Sequence, residues 1–114
     1  MKHYQWDKIA KEQMNPLLAR RVIHSENMTV AKVYLAKGAV VPPHAHGNEQ
    51  ISVILAGKLR FTFDAGEKVA VAGDVLPIPP NARHKVEALE DSEVMDIFAP
   101  ARSDWISGDD AYLR

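Results

Sequence analysis

Turn signals recur so often through the middle of this chain that a helix of ordinary length has no room to form. Ser25-Glu26-Asn27, Lys37-Gly38, Ala56-Gly57, Asp64-Ala65-Gly66-Glu67, Gly73-Asp74, the Pro-rich run that begins at Pro77, and Glu90-Asp91-Ser92 punctuate it. Such residues mark turns because they either reach unusual backbone angles or fix them. Between the turns, apolar residues alternate with polar ones. In Met28 to Ala36, Ala31, Val33 and Leu35 face one way and Lys32 and Tyr34 the other; in Lys58 to Phe63, Leu59, Phe61 and Phe63 alternate with Lys58, Arg60 and Thr62. A period of two is the mark of a half-buried antiparallel strand. Further strands are expected over Leu17–His24, Gln50–Leu55, Lys68–Ala72, Val75–Ile78, Arg83–Ala88 and Glu93–Phe98. Leu17–His24, just after Pro16, reads as an edge strand or a dimer contact. Met1–Asn15 is an opening segment with Trp6 and Ile9 as its only large apolar anchors before Met14. Short strands, regular turns and no convincing helix give an all-β fold, a sandwich or a small antiparallel barrel.

Within that pattern one stretch carries chemistry. Gly38 to Gly57 reads G-A-V-V-P-P-H-A-H-G-N-E-Q-I-S-V-I-L-A-G. Pro42 and Pro43 cannot donate to a sheet ladder, so the approach to His44 is a strand edge or a loop, and a stiff one. His44, His46 and Gln50 all fall on even positions, and alternate residues of a strand share a face. Glu49 is the better ligand by chemistry but has the wrong parity, so Gln50 is the expected one. Converging imidazoles are costly to desolvate unless something uses their nitrogens, and a divalent metal is the usual user. His84, delivered by P-I-P-P-N-A-R at the start of a strand, is the expected fourth ligand. His3 and His24 have no partner at ligand spacing and read as ordinary polar residues.

Gly38, five residues, His44-x-His46, three residues, Gln50, six residues and Gly57 resemble the first cupin motif, with Gln where Glu is usual. Gly73, five residues, Pro79 and then His84 resemble the second. Asn81 stands where Gly is usual, a change the left-handed backbone tolerates, and Ala88 stands where Asn is usual. The resemblance implies a small single-domain cupin, a jelly-roll-like sandwich or barrel. It spans 1–114, with 1–27 as an N-terminal segment and edge strand, 28–98 as the barrel core and 99–114 as a tail. It also implies one divalent transition metal (nickel, iron, manganese, zinc or copper) and a homodimer.

Composition narrows the partners. A net charge of −1 over 114 residues argues against a general attraction to nucleic acid or to an anionic membrane. Hydrophobic residues at 46% and charged residues at 25% describe an ordinary soluble globular protein. The apolar run Val53–Ala56 is far too short to span a bilayer, and M-K-H-Y-Q-W-D-K has no apolar signal core. Cytoplasmic is the default expectation. The chain has no cysteine, which excludes disulfides and thiolate ligands.

Asp96 lies in M-D-I-F-A-P-A-R, with Phe98 on the same face and Arg102 just beyond. If that face looks inward, a carboxylate and an aromatic wall enter the cavity, and the planar fork of Arg102 can clamp the carboxylate of a small anionic substrate. Arg83 has opposite parity to His84 and points away; Tyr34, Arg60 and Thr62 are further wall candidates. Trp105 and Tyr112 lie outside the strand pattern and read as cover for a barrel end or a partner subunit. E-A-L-E-D-S-E-V-M-D-I-F-A-P-A-R, with H-A-H-G-N-E-Q, resembles the small cupins of pectin and alginate breakdown, which linearise unsaturated monouronates to 5-keto-4-deoxyuronates. That resemblance implies His44, His46, Gln50 and His84 as metal ligands, Asp96 as the catalytic acid–base, and Phe98 and Arg102 as its neighbours. Ala101 and Ser103 stand where an Arg and a Glu are common. Two other classes remain open: a metal-dependent dioxygenase on a small chelating substrate, and a non-catalytic module that binds a sugar acid.

Overall fold

Alternation does what the sequence pattern asks of it. The computed structural model describes residues 1–114, and in it ten strands form two antiparallel sheets. The strands are β1 (Glu12–Asn15), β2 (Leu18–His24), β3 (Thr29–Leu35), β4 (Val40–His44), β5 (Glu49–Ala56), β6 (Lys58–Phe63), β7 (Gly66–Val71), β8 (Val75–Ile78), β9 (His84–Ala88) and β10 (Ser92–Ala99). One sheet has the order β1-β2-β3-β10-β5-β8 and the other β4-β9-β6-β7. The two are separate hydrogen-bonded sheets, so the architecture is the sandwich form and not one closed ladder.

Register decides which side chains look inward. Across β3 and β10, Ala31 faces Asp96 and Val33 faces Val94; across β10 and β5, Asp96 faces Ser52 and Phe98 faces Gln50. Ala31, Leu35, Ser52, Ile54, Val94 and Phe98 are buried on these inner faces. The even face of β10 therefore looks into the sandwich, as does the even face of β5. The opposite sheet closes the core with Leu59, Phe61, Ala70 and Ala88. Met14 and Leu18 before the central strands, and Trp105 and Leu113 after them, belong to the same cluster.

Two turns are set by backbone constraints. Gly57, between β5 and β6, has φ +87°, and a Cβ there would lie 2.2 Å from Ser92 Oγ and 2.3 Å from the Asp91 carbonyl. Only glycine lets this hairpin rest on the β9–β10 turn. Asn81 adopts φ 65°, the left-handed conformation expected of it, and its N–H donates to the His46 carbonyl at 2.8 Å. The loop before β9 is thereby tied to the loop before β5.

Several expectations need correction. Glu12–Asn15 is a strand, its polar residues paired with β2 (Glu12 opposite Arg20), so β2 is an inner strand and β1 takes the edge. A four-residue strand of mostly polar residues has no alternation to read; its partner makes it. Trp6–Lys8 forms one 3-10 turn. The tail is not irregular throughout: Ser103–Ile106 forms a single helical turn, α1, and Ala111–Leu113 a 3-10 turn. Asp110 fastens it, buried and paired with Arg20 and, at 3.1 Å, with Arg114. Asn15 Nδ2 adds a bond to the Leu113 carbonyl at 3.0 Å. No helix is long and apolar enough to cross a membrane.

Candidate metal centre and its cavity

The edge position of β4 lets Pro42 and Pro43 enter the sheet without losing a ladder bond to a second neighbour. His44 ends that strand and pairs directly with His84, which starts β9; their ring centroids are 4.2 Å apart. His46 is not on a strand. It sits in the loop between β4 and β5, so strand parity does not place it, and its link to Asn81 does. One ring nitrogen from each of His44, His46 and His84 can be chosen so that all three lie within 4.8 Å of one another.

Each ring has its tautomer fixed by the backbone. His44 Nδ1 bonds the Pro42 carbonyl at 2.8 Å, His46 Nδ1 the Asn48 carbonyl at 3.1 Å and His84 Nδ1 the Ala82 carbonyl at 2.8 Å. A carbonyl can only accept, so each Nδ1 donates and each Nε2 is left with a lone pair. Burial lowers all three pKa values, with the Arg102 charge a further cause. His44 falls to about 4, where the other two histidines add to the effect. The rings are therefore neutral at pH 7, which is the form that ligates.

Gln50, buried on β5, stands beside His46. Its Oε1 lies 3.0 Å from His46 Nε2, and its Nε2 donates to Ser52 Oγ at 3.0 Å. His46 Nε2 and Gln50 Oε1 are then two acceptors facing each other with no proton between them. Such a contact is unfavourable alone and is relieved by a shared cation. Three neutral imidazoles and one amide oxygen fit a divalent transition metal, and their neutrality leaves the ion's full charge to attract an anionic, oxygen-rich ligand.

A cavity of about 50 Å³ lies between the sheets and reaches His44, His84 and Gln50. Asp96, Phe98 and Arg102 also line it. The Asp96 carboxyl accepts from Ser52 Oγ at 2.7 Å. Burial raises its pKa from 3.8 to about 6, against the pull of Ser52, Gln50 and Arg102. Phe98 packs edge-on against the His46 ring at 5.6 Å and the Trp105 ring at 5.2 Å. Arg102, 1% exposed, is no solvated tail residue. Its Nε and Nη2 donate to Asp104 at 3.0 and 2.8 Å, and Nη2 also to Tyr112 Oη at 2.8 Å. Nη1 has no partner within the protein. The guanidinium lies over Phe98 at 4.7 Å and Trp105 at 4.4 Å.

Tyr112 and Trp105 do more than cap an end. Tyr112 sits 4.8 Å from the His44 ring, its hydroxyl also accepts from Trp105 Nε1 at 3.0 Å, and both residues line the cavity. No periodic pattern marks Tyr112, so the sequence did not point it at the cavity. Ser52 did have one: it shares a strand and a parity with Gln50. Tyr34, Arg60, Thr62 and Arg83 take no part in the cavity wall; Arg60 pairs with Glu67 and Glu87 at the surface. His24 bonds Thr29 Oγ1 at 2.8 Å, in keeping with an ordinary polar role.

Residues 31–98 match the Cupin_2 family model, a cupin domain. Over 103 residues the chain is 29% identical to KdgF, a pectin degradation protein of Dickeya dadantii, covering 88% of this chain and 94% of that protein. An RmlC-like cupin from Shewanella frigidimarina superposes with a TM-score of 0.85 at 27% identity, over 92% of this chain and 96% of that one. KdgF from a Halomonas species does so with a TM-score of 0.84 at 27% identity, over 91% and 99%.

Proposed function

This chain belongs to the Cupin_2 family, and from that premise we propose that it is a metal-dependent enzyme of pectin or alginate breakdown that linearises an unsaturated monouronate. The observation that carries the reading is the closeness of two polar clusters around one cavity: the three imidazoles with the Gln50 oxygen, of which His44, His84 and Gln50 line it, and the half-buried Asp96 carboxyl held by Ser52. Likeness to KdgF supports the substrate class.

His44, His46, Gln50 and His84 would hold the metal. When bound, the ion supplies Lewis acidity at the substrate's carboxylate or ring oxygen. Asp96 acts as general base and then acid. It takes the proton of the anomeric hydroxyl as the anomeric carbon–ring oxygen bond breaks and an aldehyde forms. It returns that proton to the alkene carbon remote from the ring oxygen, and the ring oxygen becomes a ketone. No atom is gained or lost, so the step is an isomerisation. Arg102 offers Nη1 to the substrate carboxylate while Asp104 and Tyr112 hold the other two nitrogens still. Phe98 gives an apolar face against which the ring lies.

The test is an ultraviolet assay on unsaturated galacturonate and its mannuronate and guluronate counterparts, with metal-loaded protein and a His44→Ala/His46→Ala control. Loss of the conjugated absorbance, absent in the control, is the expected result. No loss with full metal occupancy would overturn the reading and bring the oxygenase and binding-module alternatives forward.

A further inference from the structure

We propose that Ser52 is a positioning residue for the metal centre, selecting which end of the Gln50 amide faces the three imidazoles. This rests on the reading that Gln50 is a ligand. Ser52 is 0% exposed, two residues from Gln50 on the same face of β5 and opposite Asp96 in the register. A serine hydroxyl has one proton to give, and Ser52 gives it to Asp96 Oδ1 at 2.7 Å. From then on it can only accept, and the donor it takes is Gln50 Nε2 at 3.0 Å.

The two ends of a glutamine amide are nearly equal in size, so partners alone decide which way the group turns. His46 pulls it the wrong way: its Nε2 lone pair, 3.0 Å from the amide, would be better served by the NH2 end. Turned so, Gln50 would offer a cation two N–H protons and no lone pair. Ser52 opposes that pull. It holds the NH2 end and leaves the carbonyl oxygen to the metal, so the site is kept in its ligating form before an ion arrives. A carboxylate at position 50 would need no such selector, because both of its oxygens accept.

That contrast supplies the test. Metal-free full-length proteins are titrated with Ni²⁺ in competition with a chromophoric chelator at neutral pH, in a cycle of wild type, Ser52→Ala, Gln50→Glu and the double variant. The expected result is an affinity loss of about 10- to 100-fold for Ser52→Ala when Gln50 is present. In the Gln50→Glu background the loss is expected to be within about threefold, a coupling a merely structural role would not produce. Equal losses in both backgrounds, or none in either, would overturn the proposal while leaving Gln50 as a ligand. A wild type that binds no Ni²⁺ would overturn the ligand reading and the proposal together. Should Ser52→Ala not fold, Ser52→Cys, which keeps the shape with a much weaker acceptor, carries the same cycle.

Discussion

One wall of the cavity, from β5 and β10, and the other, from β4, β9 and their loops, hold polar groups still by different means. On the strand wall the side chains hold one another: Gln50 to Ser52 to Asp96, a line whose spacing is the pleat of the sheet. On the histidine wall each ring is held by a backbone carbonyl two residues away, at Pro42, Asn48 and Ala82, without help from its neighbours. The strand wall is a network, and a change at one member is felt by the next. The histidine wall is three separate local devices, each tied to a proline, an asparagine or a loop.

The difference is sharpest if each wall is cut once. His84→Ala removes a proposed ligand and should cost metal affinity at least about 100-fold, more than the loss of a supporting partner. Asp96→Asn, which keeps an Oδ1 to accept from Ser52, should hold metal affinity within about tenfold and lower turnover by about 10²- to 10⁴-fold, the usual worth of a general acid–base. Chelator titration and the absorbance assay on the same samples separate the two. Loss of metal in Asp96→Asn, or its full retention in His84→Ala, would break the division.

Acid should also act on the two walls with opposite sign in the metal-free protein. Burial raises Asp96 from 3.8 to about 6, so the folded state keeps a proton the unfolded chain has released. The stability Asp96 contributes is complete below 3.8 and falls as pH rises through about 6, by on the order of 3 kcal/mol. Burial lowers His44 from 6.5 to about 4, so its contribution is complete above 6.5 and is lost as pH falls toward 4. The two offset each other in the wild type. In Asp96→Asn only the histidine effect remains, so denaturant midpoints should climb between pH 4 and 6.5 more steeply than in the wild type. Parallel curves would contradict the opposition.

The smallest effect concerns the tie between the two loops. Asn81→Gly should change unfolding free energy by less than about 0.5 kcal/mol, and Asn81→Ala should cost about 1 kcal/mol, because alanine resists the left-handed backbone. Urea denaturation of both variants decides it; a larger loss for glycine would place the value of Asn81 in its side chain.

Alternation made most of the strand wall legible. A period of two puts Gln50, Ser52, Asp96 and Phe98 on inner faces, and the same rule applied to Ser52 would have singled it out too. It did not make β1 legible, because Glu12–Asn15 is a strand through its pairing with β2 and not through its own pattern. His46 shows the limit from the other side. Parity chose it although it lies on a loop, and what brings it beside His84 is a hydrogen bond from Asn81, a residue thirty-five positions later. Arg102 and Tyr112 belong to a tail whose path is set by the buried pair of Asp110 and Arg20, and no local pattern announces a contact over that separation.

The family match ends at residue 98, yet Arg102, Trp105 and Tyr112 come after it and form part of the cavity wall. The frame that would grip the ion lies inside the matched segment together with Asp96 and Phe98, while the rest of the lining, Arg102, Trp105 and Tyr112, is written after it. Chimaeras that exchange only the segment after Phe98 should therefore shift ligand preference while leaving metal affinity unchanged.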